Sequence, residues 1–172
     1  MSDDDLLAEA LHFETTELVQ LHRHRSDYSS IGDCFRTSIA CLIGAKQADL
    51  VPHFCEQNIR AGIPDDYKGG WQDIASARRW LRGEGLDLLF ISRAQADEIG
   101  IAYKLTVKSH AGDWNHCVIA RRGEVIWDPA GVGGYSMADD IGEPVGIITT
   151  PYEPEPDEML RRWHAADAEA NA

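Results

Sequence analysis

The chain lacks any apolar run approaching the roughly 20 residues that a membrane-spanning helix needs. Its N-terminus, MSDDDLLAEA, lacks the positive region and the apolar stretch with which a secretory signal begins. We therefore expect a cytoplasmic protein. Basic residues are also scarce: 16 Lys and Arg stand against 29 Asp and Glu, for a formal net charge of −13. A field of that sign repels phosphate backbones and anionic lipids, which argues against nucleic acids and membranes as partners.

The sequence has no CxxC pair, and its four cysteines stand at irregular spacings: Cys34, Cys41, Cys55 and Cys117. In a reducing cytosol such residues remain thiols, and most are buried structural groups unless their surroundings make one reactive. His53 lies near Cys55 and His116 precedes Cys117, which raises the alternative of a structural zinc protein. Four ligands would have to converge, however, and adjacent residues of a strand point to opposite faces. We expect no metal and no cofactor.

The 172 residues, of which 44% are hydrophobic, are enough for one folded domain. We divide the chain into an N-terminal segment, 1–27, with a weak helical pattern over 3–22, a main domain, 28–150, and an acidic, Pro-rich tail, 151–172. Apolar patterning in the main domain predicts helices over 34–43, 48–60 and 71–82, followed by strands over 86–92, 101–108, 115–120, 124–128 and 145–149. Helices followed by an antiparallel sheet predict an α+β fold.

Cys34 is the first candidate for chemistry. Asp33 is expected to be the N-cap of a helix that begins at Cys34 and ends near Gly44. In the first turn of a helix, unpaired backbone N–H groups and the positive end of the helix dipole favour the thiolate, which is the nucleophilic form. A small core residue at a helix start is the competing interpretation.

A hairpin carries the second group of candidates. Residues 121–123, Arg-Arg-Gly, separate two β-rich runs, and a three-residue loop that ends in Gly is a favoured turn. That turn pairs Ala120 with Glu124 and therefore His116 with Asp128, with Cβ atoms about 5 Å apart on one face. A carboxylate beside an imidazole fixes its tautomer and orients the ring. A two-residue turn would shift the pairing by one residue, and a surface His–Asp pair without function is the competing interpretation.

The segments GDCFRTSIACLIG and HCVIARRGEVIWDPAG resemble the papain-like cysteine peptidase superfamily. They are most similar to the domains that cleave double-glycine leaders from bacteriocins and to related bacterial and phage domains, over roughly residues 28–150. The resemblance implies a papain-like fold, in which a buried nucleophile helix packs on an antiparallel sheet. It also implies a triad in which Cys34 is the nucleophile, His116 the base and Asp128 the residue that orients the base. The expected reaction is cleavage of an amide bond in a peptide or protein through a thioester acyl-enzyme.

The sequence departs from this family at the oxyanion-binding group. The family carries a Gln a few residues before the nucleophile, whereas no Gln lies between Tyr28 and Cys34, and the nearest one upstream is Gln20. The donors would then be the Cys34 backbone N–H together with Tyr28, Ser29 or Ser30. Losing one such donor costs about 10²–10³ in rate. This leaves open a papain-like binding module without turnover, while deamidation or transamidation would use the same triad.

Candidate substrate-binding residues flank the triad on both sides: Tyr28, Ser30 and Asp33 precede Cys34, and Trp114 and Asn115 precede His116. Trp114 would line a substrate groove and Asn115 would add a hydrogen bond. Core packing for Trp114 and a strand-entry position for Asn115 are the competing interpretations. The Gly-rich stretch 131–134 lacks the Lys-Ser/Thr of a phosphate-binding loop, and we expect a mobile loop near the His–Asp pair.

Overall fold

The computed structural model describes residues 14–25, 31–55, 70–136, 139 and 144–151. Several predicted features lie outside these ranges: the first part of the N-terminal helix, the turn that contains Tyr28 and Ser30, most of the second helix and the C-terminal tail.

Within the described ranges the chain forms three α-helices, one short 3-10 helix and five strands. In chain order they are α1 (Cys34–Leu42), the 3-10 helix (Ala48–Leu50), α2 (Gly70–Gly83), β1 (Asp87–Ile91), α3 (Arg93–Ile99), β2 (Tyr103–Lys108), β3 (Asn115–Arg121), β4 (Glu124–Trp127) and β5 (Val145–Thr149). The strands make one antiparallel sheet in the order β1-β5-β2-β3-β4. The predicted α+β class is confirmed.

Helix α1 follows its predicted course. Its run of apolar residues, from Ile39 to Leu42, is fully or almost fully buried against the sheet. The helix ends where Gly44 adopts a φ of 68°, a conformation that favours glycine. There the backbone N–H of Gly44 donates to the Cys41 carbonyl and that of Ala45 donates to the Ala40 carbonyl, so the last carbonyls of the helix have partners.

The two faces of the sheet belong to two apolar clusters. On one face, Ile119 of β3 packs with Ile39 of α1 and Leu81 of α2. On the other face, Val118 packs with Ala96 of α3. Because side chains alternate along a strand, Cys117 points to the same side as Ile119, towards α1, and His116 points to the same side as Val118.

Residues 14–22 form neither a helix nor a strand, so the helix prediction is wrong for this part of the chain. The Thr16 N–H donates to the Cys41 carbonyl at 3.1 Å, and the Gln20 N–H donates to the Pro129 carbonyl at 2.8 Å. These bonds use the backbone donors that a helix would have used internally. Partners in α1 and in the loop after β4 therefore override a weak local preference.

We did not predict α3, although its sequence carries a signal for it. The Ser92 side chain accepts from the Gln95 backbone N–H at 3.2 Å, and the Gln95 side chain accepts from the Ser92 backbone N–H at 3.1 Å. This S-x-x-Q capping box begins the helix, and Gly100 ends it with a φ of 75°. The helix then presents Asp97, which accepts from Tyr103 Oη and from the Gly123 N–H, both at 2.8 Å, and so anchors the β3–β4 turn.

Candidate active site

The hairpin of β3 and β4 turns through two residues rather than three. Arg122 and Gly123 both have positive φ, 51° and 76°, as in the two-residue turns that match the twist of paired strands. Arg121 therefore pairs with Glu124 and Ala120 with Val125. The register that we predicted from a three-residue loop is wrong by one residue.

A β-bulge further along the hairpin restores the predicted direction of the Asp128 side chain, which the shift in register alone would have reversed. After the pair Ala120–Val125, the next pair is Ile119–Trp127, which leaves Ile126 without a partner across the ladder. An extra residue in one strand inverts the alternation of side chains beyond it. Asp128 therefore projects to the side of His116, whereas an unbulged two-residue hairpin would have placed it on the opposite face.

The contact between His116 and Asp128 is present and is shielded from water. His116 Nε2 lies 2.7 Å from Asp128 Oδ1, and the two residues are 6% and 5% exposed. Burial alone would raise the pKa of Asp128, but hydrogen bonds from His116 and from the backbone N–H groups of Gly133 and Ala130 outweigh it and lower that pKa to about 2. An ionised carboxylate only accepts, so Nε2 carries the imidazole proton and Nδ1 holds a lone pair. His116 is therefore oriented as a base.

The Gly-rich stretch is bonded to Asp128 rather than being a mobile loop. The N–H groups of Val132 and Gly133 donate to Asp128 Oδ2 at 3.1 and 2.8 Å, and the Ala130 N–H donates to Oδ1 at 2.8 Å. Gly131 and Gly133 each have a φ of 67°, which lets the chain turn tightly enough to point these donors inwards. The two carboxylate oxygens thus have four donors between them, and the turn after β4 serves to hold Asp128.

Cys34 begins α1 as predicted, and its free thiol interacts with the free thiol of Cys117. The hydrogen bond with the Cys117 side chain and then burial raise the pKa of Cys34 well above its usual value. This shift is opposite in direction to the one that we expected from the helix start. Strand alternation turns Cys117 away from His116 and towards α1 and Cys34.

Tyr135 links Cys34 to the His–Asp pair, and no motif in the sequence marked it. Its ring centroid lies 5.5 Å from that of His116 and stacks on His110 at 4.0 Å. Burial raises the pKa of Tyr135, and electrostatic interactions with Asp128 and with Cys34 raise it further. Tyr135 is therefore within electrostatic reach of both Asp128 and Cys34, although His116 and Cys117 project from opposite faces of β3.

Gln20 lies between the segment that follows Asp128 and the segment that precedes Cys34. Its backbone N–H is bonded to the carbonyl of Pro129, which follows Asp128. The next two N–H groups, of Leu21 and His22, donate to the carboxylate of Asp33, which precedes Cys34. The side-chain oxygen of Gln20 is buried and makes no hydrogen bond to the described residues. Buried polar atoms without a partner are rare, so this oxygen is an unused acceptor beside the site.

Asp33 has a structural position instead of the substrate contact that we expected. It is 0% exposed, and its carboxylate accepts from Arg36 Nε at 2.9 Å in addition to the two backbone N–H groups. Asp33 precedes α1 as predicted, but its side chain does not cap the helix. Its carbonyl instead accepts from the backbone N–H and the hydroxyl of Thr37. The carboxylate ties the extended N-terminal segment to the start of α1 and has no exposed surface.

The other proposed substrate-binding residues lie at the end of β3 that carries His116. Trp114 is half-buried and packs against His24, with ring centroids 4.8 Å apart, and Asn115 is exposed. Tyr28 and Ser30 lie outside the described residues.

In the part of the chain that the structure describes, no group of three or more His, Cys, Asp or Glu side chains could hold a metal ion. No helix in that part is long and apolar enough to span a bilayer. Comparisons with protein-family models, with curated proteins and with solved structures each found no match. The geometry and chemistry of the site are therefore what bears on function.

Acid unfolding should report on the Asp128 cluster. The pKa of Asp128 falls from 3.8 to about 2 on folding. The hydrogen bonds of its carboxylate therefore contribute stability that is complete above the unfolded pKa and is lost as the pH falls from about 4 to about 2. We expect Asp128→Asn to be less stable than the wild type at neutral pH and to lose less stability across that acid range. Urea unfolding at a series of pH values measures this. Asp113→Asn, at an exposed position, is the control, and a wild-type acid response in Asp128→Asn would contradict the assignment.

Proposed function

We propose that the protein is a cysteine hydrolase of the peptidase or amidase type, with a papain-like fold, that cleaves an amide bond of a peptide or protein through a thioester acyl-enzyme. The buried His116–Asp128 pair is the main support. A carboxylate that stays ionised fixes the imidazole tautomer and leaves Nδ1 free to accept a proton. The neighbouring residue of the same strand, Cys117, contacts the thiol of Cys34.

The first step removes the proton from the Cys34 thiol. In the observed conformation that thiol contacts Cys117, which projects from the face of β3 opposite to His116, so Cys34 has to move before its sulfur reaches Nδ1 of His116. His116 takes the proton, and Asp128 stabilises the imidazolium that results. The sulfur attacks the carbonyl carbon, the C–N bond breaks, and the leaving amine receives the proton from His116. Water then hydrolyses the thioester, with His116 again acting as the base.

Two groups are available for the oxyanion of this reaction. The first-turn N–H groups of α1 have no acceptor within the helix, and that of Cys34 itself lies nearest the attacking sulfur. Gln20 supplies the side-chain amide, because its segment is bonded both to Asp33 and to Pro129. The amide thus reaches the site from a position 14 residues before Cys34, through the extended segment rather than through a short spacing.

Acylation by p-nitrophenyl acetate tests the proposal without a known substrate. We expect a burst of nitrophenolate, an added acetyl mass on the peptide that contains Cys34, and steady turnover as the thioester hydrolyses. Cys34→Ala should lose the burst and the turnover. Cys41→Ala removes a buried thiol of the same helix and is the matched control, which should keep both. Acetyl groups spread evenly over the four cysteines, or found on none of them, would reject a nucleophilic Cys34.

A binding module without turnover is the second candidate, and the raised pKa of Cys34 favours it. A protonated thiol bonded to Cys117 is a poor nucleophile unless His116 takes its proton. In this case Cys34→Ala would leave the biological effect of the protein intact, whereas a hydrolase would lose it while remaining folded. Deamidation or transamidation would share the acyl-enzyme and differ only in the substrate amide and in the group that accepts the acyl chain.

A further inference from the structure

Lys104 is a buried cation that the proposed mechanism does not use. The residue is only 6% exposed and belongs to β2, where it pairs with Ile119 on one side and with Gly146 on the other. Directly paired residues of an antiparallel ladder project to the same face, so Lys104 points to the face that α1 covers. Its stem crosses Gly146, where an added Cβ would lie 3.7 Å from the Lys104 Cε atom.

The recorded partners of the ammonium group are neutral. Lys104 Nζ donates to Thr106 Oγ1 at 2.6 Å and lies 5.9 Å from the centroid of the Phe90 ring. Within ranges 14–25, 31–55, 70–136 and 144–151, no carboxylate forms an ion pair with it. An ammonium surrounded by neutral groups in a buried site is costly, so an anion bound beside it would be strongly stabilised.

The position of this cation connects it with Cys34. Thr106, which holds Nζ, is the direct cross-strand partner of Cys117. Their side chains therefore share a face, with Cβ atoms about 5 Å apart. Cys117 in turn is bonded to the thiol of Cys34. Thr106 and Phe90, the two groups that flank Nζ, are both partly exposed, so the ammonium lies close to the protein surface.

We infer that Lys104 and Thr106 form a carboxylate-binding subsite beside Cys34, so that the preferred substrate carries a carboxylate next to the bond that is cleaved. Either a peptide C-terminus or an Asp or Glu side chain supplies that chemistry. The reference to a substrate rests on the proposed hydrolase function, but binding of a carboxylate does not. With a net charge of −13 the protein as a whole repels anions, so the selectivity has to come from this local cation.

Thermal unfolding with a matched pair of ligands tests the subsite. N-acetylglycine carries the carboxylate, and N-acetylglycinamide is its neutral counterpart. We expect the acid at several times its Kd to raise the Tm of the Cys34→Ser protein by a few °C and the amide to leave it unchanged. Cys34→Ser is used so that no thiol chemistry contributes. Equal shifts from acid and amide would overturn the subsite, whatever the variants do.

Two variants assign the effect to Lys104. In the Cys34→Ser background, Lys104→Met should remove the acid-dependent shift. Lys108→Met should keep it, because Lys108 lies on the same strand and face but its side chain is 58% exposed and is paired with Asp113. If Lys104→Met does not fold, Thr106→Val serves instead, since it removes the hydroxyl that orients Nζ, and it should weaken acid binding severalfold. An acid-dependent shift that survives in the folded variant overturns the proposal.

Alkylation separates this proposal from the hydrolase proposal. These variants are made in the protein that keeps Cys34. Relative to the wild type, the ratio of the Cys34 alkylation rate with iodoacetate to that with iodoacetamide should fall severalfold in Lys104→Met and stay constant in Lys108→Met. If Cys34 reacts with neither reagent, the proposal that it is a nucleophile is contradicted, and the Tm measurements alone decide whether the carboxylate-binding subsite exists. A Cys34 that reacts with both at a ratio independent of Lys104 supports the nucleophile and overturns the subsite.

Discussion

Replacing Asp33 with alanine should lower the free energy of unfolding by about 3–5 kcal/mol, because it leaves the buried guanidinium of Arg36 without its carboxylate. It also removes the acceptor of the Leu21 and His22 N–H groups. Urea denaturation followed by tryptophan fluorescence measures the effect. Asp113→Asn, at an exposed position, should change stability by less than about 0.5 kcal/mol.

A double-mutant cycle identifies the cause of that loss. Arg36→Met removes the cation, so the protein with both Asp33→Ala and Arg36→Met no longer buries an unpaired charge. We expect the double variant to be less destabilised than the sum of the two single variants. Strict additivity would show that the ion pair is not the main contribution and that the two backbone hydrogen bonds account for most of the effect.

Replacing His116 with alanine should slow the alkylation of Cys34 by iodoacetamide at neutral pH by about 10²-fold, the usual contribution of a positioned general base. The pH dependence is more specific than the rate. In the wild type, His116 accepts the thiol proton, so the rate should depend only weakly on pH above neutrality. In His116→Ala, the rate should keep rising with pH, because burial and Cys117 hold the pKa of the Cys34 thiol well above its usual value.

The control for this experiment is His110→Ala. His110 stacks on the same tyrosine as His116, at 4.0 Å, but it is exposed and lies outside the His–Asp pair. It should leave the alkylation profile of Cys34 unchanged. If both variants behave like the wild type, His116 does not act on Cys34, and the binding module becomes the better account of the site.

Periodicity and end signals were sufficient for most of the described elements. The apolar run behind Cys34 and the Gly44 stop located α1, and β-rich runs located β2 and β5. The same kind of reading would have found α3 from its capping box. The segment 14–22 could not be read this way, because its weak apolar stripe reflects packing of an extended chain against α1 and the loop after β4.

The His116–Asp128 contact was predicted from a register that the protein does not have. Two differences, a two-residue turn and a bulge at Ile126, compensate each other in the direction of the Asp128 side chain. A bulge of this kind has no local sequence signature, because it depends on which strands and loops pack around it. The prediction that His116 and Asp128 lie close together was therefore correct, although the hairpin register from which it was made was not.

Cys117 and Tyr135 could not have been identified from sequence. Their importance comes from contacts with residues far away along the chain, Cys34 for Cys117 and His116 for Tyr135. The direction of the Cys34 pKa was also out of reach. A helix start on its own favours the thiolate, and the opposite shift arises from a thiol neighbour and burial that only the tertiary structure provides.

The extended segment near the N-terminus also constrains the order of folding. Its contacts with β4 and with the loop after β4 join residues 107 and 109 positions apart: Arg23 bonds to Ala130, and Trp127 bonds to Leu18. Forming these contacts closes long loops, which slows folding. The contacts also cannot form until most of the chain has been made. A nascent chain that has just left the ribosome with α1 complete carries the thiol but neither the imidazole nor the carboxylate. Under the proposed function, Cys34 therefore meets its base only when the chain is nearly complete.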